Sequence, residues 1–142
     1  MEEVEKELAD CVVEKKVLKD GRVFLTVKLE KLREAVKTLR ERGFQHLIAI
    51  TGLDAGDHLE AIYHIARGGE VLSLRVIVPS EKPEVPTITD IIPGALFYER
   101  EVHDLVGITP VGHPDPSPLL LPDDWSGEPP PLRKSTGGGE AK

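Results

Sequence analysis

The chain has few of the residues on which many kinds of site depend. Its 142 residues include one cysteine, Cys11, and no asparagine, and the first 78 residues contain no proline. A single cysteine excludes an internal disulfide, and an iron–sulfur cluster needs about four cysteine ligands. Cys11 lacks the basic surroundings that activate a thiol, so we expect it to be buried and inert.

Long apolar runs are also missing. No run approaches the roughly 18–20 apolar residues that span a bilayer. The stretch Met1–Glu7 is acidic and lacks the order of a signal peptide, so we expect a cytoplasmic protein of one domain. The scarcity of asparagine, glutamine, cysteine and methionine, with 30% charged residues, is typical of proteins from thermophiles.

Positive charge is scarce in the second part of the chain. Residues 79–142 carry 5 Lys and Arg against 11 Asp and Glu, which accounts for most of the net charge of −7. Nucleic-acid binding depends on the neutralisation of phosphates by basic side chains, so this balance argues against nucleic acid as a partner. An acidic surface instead favours a basic protein partner.

Apolar periodicity predicts an α+β fold, with a small, mainly antiparallel sheet and helices packed on one face. We predict helices near residues 4–11, over 30–42 and over 95–106. We predict a hairpin of strands 12–18 and 23–29 and an antiparallel meander of strands 44–53, 58–66 and 71–78.

All twelve prolines lie from Pro79 to Pro131. They predict a linker over 80–94 and exclude an ordinary helix or a central strand beyond Ile108. We therefore expect an irregular, proline-rich C-terminal extension. The predicted divisions are an α+β domain over 1–106, an extended partner-docking segment over 107–134 and a disordered tail over 135–142.

Histidines and carboxylates near the end of the third helix raise the question of a metal site. His103, Asp104, His113 and Asp115 are of the types that bind zinc. Adjacent helical residues point about 100° apart, so His103 and Asp104 do not converge on one ion. The spacing therefore favours structural roles for these residues over a metal centre.

Glu99 and Glu101 are the candidates for a pair of catalytic carboxylates. On a helix they diverge by about 200°, so they do not form such a pair. We expect pairs four residues apart instead, Arg100 with Asp104, and Glu99 with His103 when that histidine is protonated.

Apolar residues in the proline-rich segment need a surface to lie on. Trp125 either covers the core of this domain or anchors in a pocket of a partner, a role in which tryptophan is enriched. Leu119, Leu120 and Leu121 cannot all face one side of a small sheet, so we expect at least one to contact another protein. Arg133 and Lys134 offer positive charge to a carboxylate of a partner or of this chain.

The motifs of this region resemble the signature of the 30-kilodalton subunit of respiratory complex I, also known as the C subunit of NADH dehydrogenase. They are Glu-Arg-Glu at 99–101, Asp104, Gly-Ile at 107–108, Gly-His-Pro-Asp at 112–115, Leu-Leu-Pro-Asp-Asp-Trp at 120–125 and Pro-Leu-Arg-Lys at 131–134. Departures from the family pattern at 116–118 and 127–135 favour the branch found in membrane-bound nickel–iron hydrogenases and sulfane reductases.

The resemblance implies a non-catalytic structural subunit of the peripheral arm of a membrane-anchored redox complex, on the cytoplasmic side. Such a subunit docks on the large catalytic subunit near the small iron–sulfur subunit, and supports electron transfer coupled to ion translocation. It implies no cofactor or metal in this chain; iron–sulfur clusters, and nickel–iron in a hydrogenase, belong to the partners. The implied interface residues are Glu99, Arg100, Glu101, Asp104, Gly107, His113, Pro114, Asp115, Leu120, Pro122, Asp123, Asp124, Trp125, Leu132, Arg133 and Lys134.

Two other functions remain open at this point. One is a metal-dependent enzyme built on His103 and His113. The other is an assembly factor that delivers a large subunit and then dissociates.

Overall fold

The structure is a computed structural model that describes residues 2–19 and 22–113. The helices are α1 (Glu2–Glu7), α2 (Leu32–Glu41) and α3 (Ala95–Val106), with a 3-10 turn at Leu29–Lys31. The strands are β1 (Val12–Val17), β2 (Val23–Val27), β3 (His46–Asp54), β4 (Leu59–Arg67), β5 (Glu70–Val78), β6 (Glu84–Pro86) and β7 (Thr109–Val111).

Five of the strands form one sheet in the order β1-β2-β5-β4-β3. The predicted hairpin of β1 and β2 and the predicted meander of β3, β4 and β5 are both antiparallel, as expected. The hairpin joins the meander through a parallel pairing of β2 with β5, which was not predicted from the sequence. The α+β class and the mainly antiparallel sheet are confirmed.

The core lies between one face of this sheet and the helices. In α2 the predicted apolar stripe of Leu32, Val36 and Leu39 is fully buried. These side chains belong to the same buried cluster as Tyr63 of β4 and Val102 of α3. The prediction that the helices pack on one face of the sheet is therefore confirmed.

Arg75 of β5 holds the opposite face of the sheet together. Its Nε donates to Oγ1 of Thr26 in β2 at 3.2 Å, and its guanidinium lies 3.6 Å from Glu60 and 3.5 Å from Glu14. These contacts reach from β4 across to β1, so they help to fix the hairpin against the meander.

Cys11 is buried, as predicted, in the turn between α1 and β1, and its Sγ lies 3.3 Å from Oε2 of Glu34. Burial, with the neighbouring carboxylate, raises the pKa of the Cys11 thiol from 9.0 to about 11. The thiolate is the reactive form, so this shift lowers its population about 100-fold at pH 8.

We therefore expect iodoacetamide to modify Cys11 at least about 100-fold more slowly in the folded protein than in urea. Mass spectrometry of timed samples at pH 8 measures both rates on the same chain. Equal rates in the two conditions would contradict the inert, buried thiol.

A second, parallel sheet pairs β6 with β7. It lies where the prolines predicted a linker and an irregular extension, so the linker prediction for 80–94 missed β6. Thr109 N–H donates to Pro83 O at 2.7 Å, and Thr87 N–H donates to Val111 O at 2.9 Å. In this pair, alternate residues of each strand form the hydrogen bonds to the partner strand. Pro86 and Pro110 occupy the positions in between, so the absence of their N–H groups costs no hydrogen bond between the strands.

The predicted docking segment begins on the surface of this domain. Residues 107–113 lie against the domain, with Ile108, Pro110 and His113 buried. Residues 114–134 and the predicted tail at 135–142 lie outside the described residues, so the domain divisions stay a prediction.

Among the residues that the structure describes, no helix has both the length and the apolar character required to cross a bilayer.

Candidate partner-docking site

Helix α3 carries the first motif of the candidate site, and its bounds agree with the predicted Ala95–Val106. It ends at Gly107, whose φ of 87° is in the left-handed region that glycine adopts readily. The Gly107 N–H donates to the carbonyls of His103 at 3.0 Å and Val102 at 3.3 Å. Gly107 therefore has a capping role in this structure, as the predicted helix stop requires.

Glu99 points into the domain and is 3% exposed. Its Oε1 accepts a hydrogen bond from Thr87 Oγ1 at 2.6 Å, and its Oε2 accepts one from the Ile88 N–H at 2.8 Å. The predicted pair with His103 is wrong, because these donors lie on the buried side of α3. His103 Nδ1 lies 3.6 Å from Asp104 Oδ1 instead.

Burial raises the pKa of the Glu99 carboxyl, while the bonds from Thr87 and Ile88 and the nearby His113 oppose this rise. The same carboxylate contributes to the raised pKa of Tyr63, although burial of that phenol is the larger cause. Glu99 is thus a buried acid that holds the backbone of the segment between β6 and α3.

Arg33 of α2 fixes the same segment from the other side. Its guanidinium donates to the Thr87 carbonyl at 2.6 Å and makes two hydrogen bonds to the Asp90 carboxylate, at 2.8 and 2.7 Å. The Arg33 guanidinium lowers the pKa of Asp90 to about 2. Sequence reasoning missed Arg33, Thr87 and Asp90, since contacts between residues more than 50 positions apart leave no local signal.

His113 ties the end of the described chain to the start of α3. Its Nε2 lies 3.0 Å from the Leu96 carbonyl oxygen. A carbonyl oxygen only accepts hydrogen bonds, so Nε2 carries the proton and donates it. The His113 N–H donates to the Pro110 carbonyl at 3.1 Å. The segment from Pro114 onward therefore departs from a fixed point beside the first turn of α3.

The predicted interface residues fall into three groups. Glu99, Asp104 and His113 are buried within this chain. Arg100, Glu101 and Gly107 are half-buried. The others lie outside the described residues: Pro114, Asp115, Leu120, Pro122, Asp123, Asp124, Trp125, Leu132, Arg133 and Lys134.

The described histidines and carboxylates of α3 and of the segment after β7 do not form a metal-binding group. Within 2–19 and 22–113, no three or more His, Cys, Asp or Glu side chains are arranged to hold a metal ion. The fourth residue of the candidate set, Asp115, lies beyond this range.

Phe97 is a surface feature that was not predicted from the sequence. Its side chain lies on α3 and is 59% exposed. Its position outside the apolar stripe of that helix was a readable signal, because the stripe marks the buried side. An open groove of about 610 Å³ lies beside this part of the helix, lined by Arg33, Thr87, Thr89, Asp90, Pro93, Leu96 and Gly112.

Comparison with known proteins places this domain and its C-terminal segment in one family. Residues 25–141 match the family described as "Respiratory-chain NADH dehydrogenase, 30 Kd subunit". The chain belongs to this family, which confirms the resemblance in its motifs.

Its relatives are subunits of oxidoreductase complexes. The chain is 42% identical over 116 residues to the C/D subunit of NADH-quinone oxidoreductase from Phocaeicola vulgatus, a match that covers 78% of this chain and 22% of the relative. It is 39% identical over 118 residues to the C subunit of F(420)H(2) dehydrogenase from Methanosarcina mazei, covering 80% of this chain and 74% of that relative. The chain thus spans about a fifth of the first relative.

The fold also matches a chain in a solved membrane complex, the membrane-bound sulfane sulfur reductase, described as an archaeal respiratory membrane complex. The TM-score is 0.76 with 26% sequence identity, over 87% of this chain and 75% of the other.

Proposed function

We propose that this chain is a non-catalytic accessory subunit of a complex I-related redox complex, docked through residues 107–134 on the large catalytic subunit. The observation that supports this proposal most directly is that the start of the segment is fixed against the domain. The His113 to Leu96 contact at 3.0 Å places the start of the segment against α3. The family motifs continue from there into a stretch that is acidic and rich in proline.

The relatives support the choice of partner. The Phocaeicola vulgatus relative is named as a joined C/D protein, and this chain matches 22% of its length. A fusion keeps two parts together at all times, as expected if the two contact each other in the complex. In our proposal the D part corresponds to the large catalytic subunit, and the small iron–sulfur subunit lies nearby.

The branch of the family is part of the proposal. The departures from the family pattern at 116–118 and 127–135 favour a hydrogenase-like or sulfane reductase-like complex, and the match to an archaeal sulfane sulfur reductase chain agrees with that choice. In such a complex this subunit lies at the cytoplasmic side of the membrane and contacts it through its partners. Iron–sulfur clusters, with nickel–iron in a hydrogenase, are held by the partners, where electron transfer is coupled to ion translocation.

Truncation of the docking segment tests the proposal. We expect a tagged chain ending at His113 to lose co-purification with the large subunit by at least tenfold, because the segment with Trp125 is gone. A chain ending at Lys134 is the matched control, and we expect it to co-purify like the full chain. Quantitative mass spectrometry of the purified complex measures the ratio of the subunits.

Equal recovery of the large subunit with all three chains would contradict docking through residues 114–134. A permanent subunit keeps a constant ratio to the large subunit in the active complex. A dissociable assembly factor would be found with immature large subunit and lost from the active complex.

A further inference from the structure

We propose that the Phe97 ring is a second docking contact on the same large subunit, seated in an apolar pocket of that partner. The inference rests on the proposed function and deepens it, because it extends the interface from the C-terminal segment onto the domain itself.

Exposure alone does not single out Phe97. Isolated exposed apolar residues are common, and Val13 of β1 is 64% exposed without implying a partner. Phe97 differs from Val13 in two ways: its side chain is aromatic, and it lies beside the start of the docking segment. Aromatic side chains, phenylalanine among them, are enriched in protein interfaces relative to the rest of the surface. Phe97 also directly follows Leu96, whose carbonyl holds His113 at the point where the docking segment departs.

The backbone around Phe97 is held in place before any partner arrives. Glu99 bonds Thr87 and Ile88 in the preceding segment, and His113 bonds Leu96. Burying the ring therefore costs little further ordering of the chain. Preorganisation of this kind strengthens binding because less conformational entropy is lost in the complex.

The chain's own docking segment is an alternative occupant of the space over Phe97. Three prolines, Pro114, Pro116 and Pro118, fall in the five residues after His113. In an extended, proline-rich backbone of about 3.1 Å per residue, six residues reach about 19 Å. The cleavage experiment below separates this occupant from the large subunit.

A second copy of the chain is a poor occupant. A stable protein interface buries about 1,200–2,000 Å² in total, whereas one aromatic ring buries roughly 150–250 Å². The large subunit has an advantage that a free copy lacks. Once the docking segment binds, Phe97 meets the same subunit as an intramolecular contact with a high effective concentration.

Substitution of Phe97 in the full-length chain tests this contact. The chain is titrated onto the complex assembled without it, and the dissociation constant is measured by biolayer interferometry. We expect Phe97→Ser to raise the dissociation constant at least tenfold and Phe97→Trp to keep it near the wild-type value. Val13→Ser is the matched control, an exposed apolar residue on another element, and we expect no change.

The folded state of the variants is checked by their thermal unfolding midpoints, which should stay close to wild type because Phe97 is exposed. If Phe97→Ser binds like wild type while the chain ending at His113 does not bind, the Phe97 contact is refuted and the proposed function stands. If neither change affects binding, both proposals fail.

The space over Phe97 could instead be occupied by the chain's own segment or by a second copy of the chain. Each of these occupants predicts a distinct result for the isolated chain. Faster tryptic cleavage at Arg133 and Lys134 in Phe97→Ser than in wild type would mean that the chain's own segment covers the ring. A wild-type dimer that Phe97→Ser converts to a monomer in sedimentation velocity would mean that a second copy covers it. Either result overturns the contact with the large subunit.

Discussion

Gly52→Ala is expected to destabilise the protein by about 1–3 kcal/mol, although alanine is the smallest possible addition. A Cβ at Gly52 of β3 would lie 2.8 Å from Val106 Cγ2 and 3.1 Å from Val102 Cγ1 of α3. Valine has a stiff, branched side chain, so relief requires α3 to move away from the sheet. Urea denaturation monitored by circular dichroism measures the loss.

Gly69→Ala is the matched control, since a Cβ there meets no atom within 4 Å. We expect a change of less than about 0.5 kcal/mol at that position. Val106→Ala should rescue Gly52→Ala, so that the double variant costs less than the sum of the single ones. Equal losses at Gly52 and Gly69 would show that α3 does not pack directly on β3.

The close approach at Gly52 shows what kind of information the sequence holds. A lone glycine within a strand pattern indicates a bulge or a close contact, but it does not name the contacting element. The bounds of α3 were predictable because the apolar stripe and the glycine stop at Gly107 are local signals. The meander was predictable for the same reason, as its strands are joined by tight turns.

The parts that were missed depend on contacts between distant segments. The parallel pairing of Val23 with Leu72 joins strands far apart in the chain. The pairing of β6 with β7 brings two short proline-bearing segments together, and neither has a strand pattern of its own. Proline patterns correctly excluded helices there, but they carry no information on which edge pairs with which.

The same contrast between local signals and contacts of distant segments applies to the candidate site. The motif residues were found from the sequence, but their spacing did not reveal that Glu99, Asp104 and His113 are buried in this chain. A charged residue is expected at the surface unless it has a partner, and the partners of Glu99 are backbone and hydroxyl donors that any sequence contains. Phe97, conversely, was not predicted, because the interface residues were taken from the family motifs, and Phe97 lies just before the first of these at Glu99.

Glu99→Ala is expected to cost about 2–5 kcal/mol of stability. The change removes the acceptor of both the Thr87 hydroxyl and the Ile88 N–H, which are buried. A buried donor left without an acceptor costs about 1–3 kcal/mol. Glu99→Gln should lose less, because its amide oxygen can accept from Ile88 N–H and its NH2 can donate to the Thr87 oxygen.

The two variants also predict how stability depends on pH. Burial raises the pKa of Glu99 above 4.5, so the folded protein holds this proton more tightly than the unfolded chain does. The resulting stability is complete below pH 4.5 and is lost as the pH rises through the folded-state pKa. Wild type should therefore lose stability relative to Glu99→Gln between pH 4 and pH 7.

Urea denaturation of both chains at these two pH values measures that difference, and titrating groups that do not interact with Glu99 cancel because they are common to both. Glu101→Gln is the matched control, because it makes the same chemical change on the half-buried side of α3. If wild type instead gains stability relative to Glu99→Gln as the pH rises, the hydrogen bonds from Thr87 and Ile88 outweigh burial in their effect on the pKa of Glu99. Glu99 would then be held as a carboxylate, and the segment between β6 and α3 would be fixed by its charge rather than in spite of it.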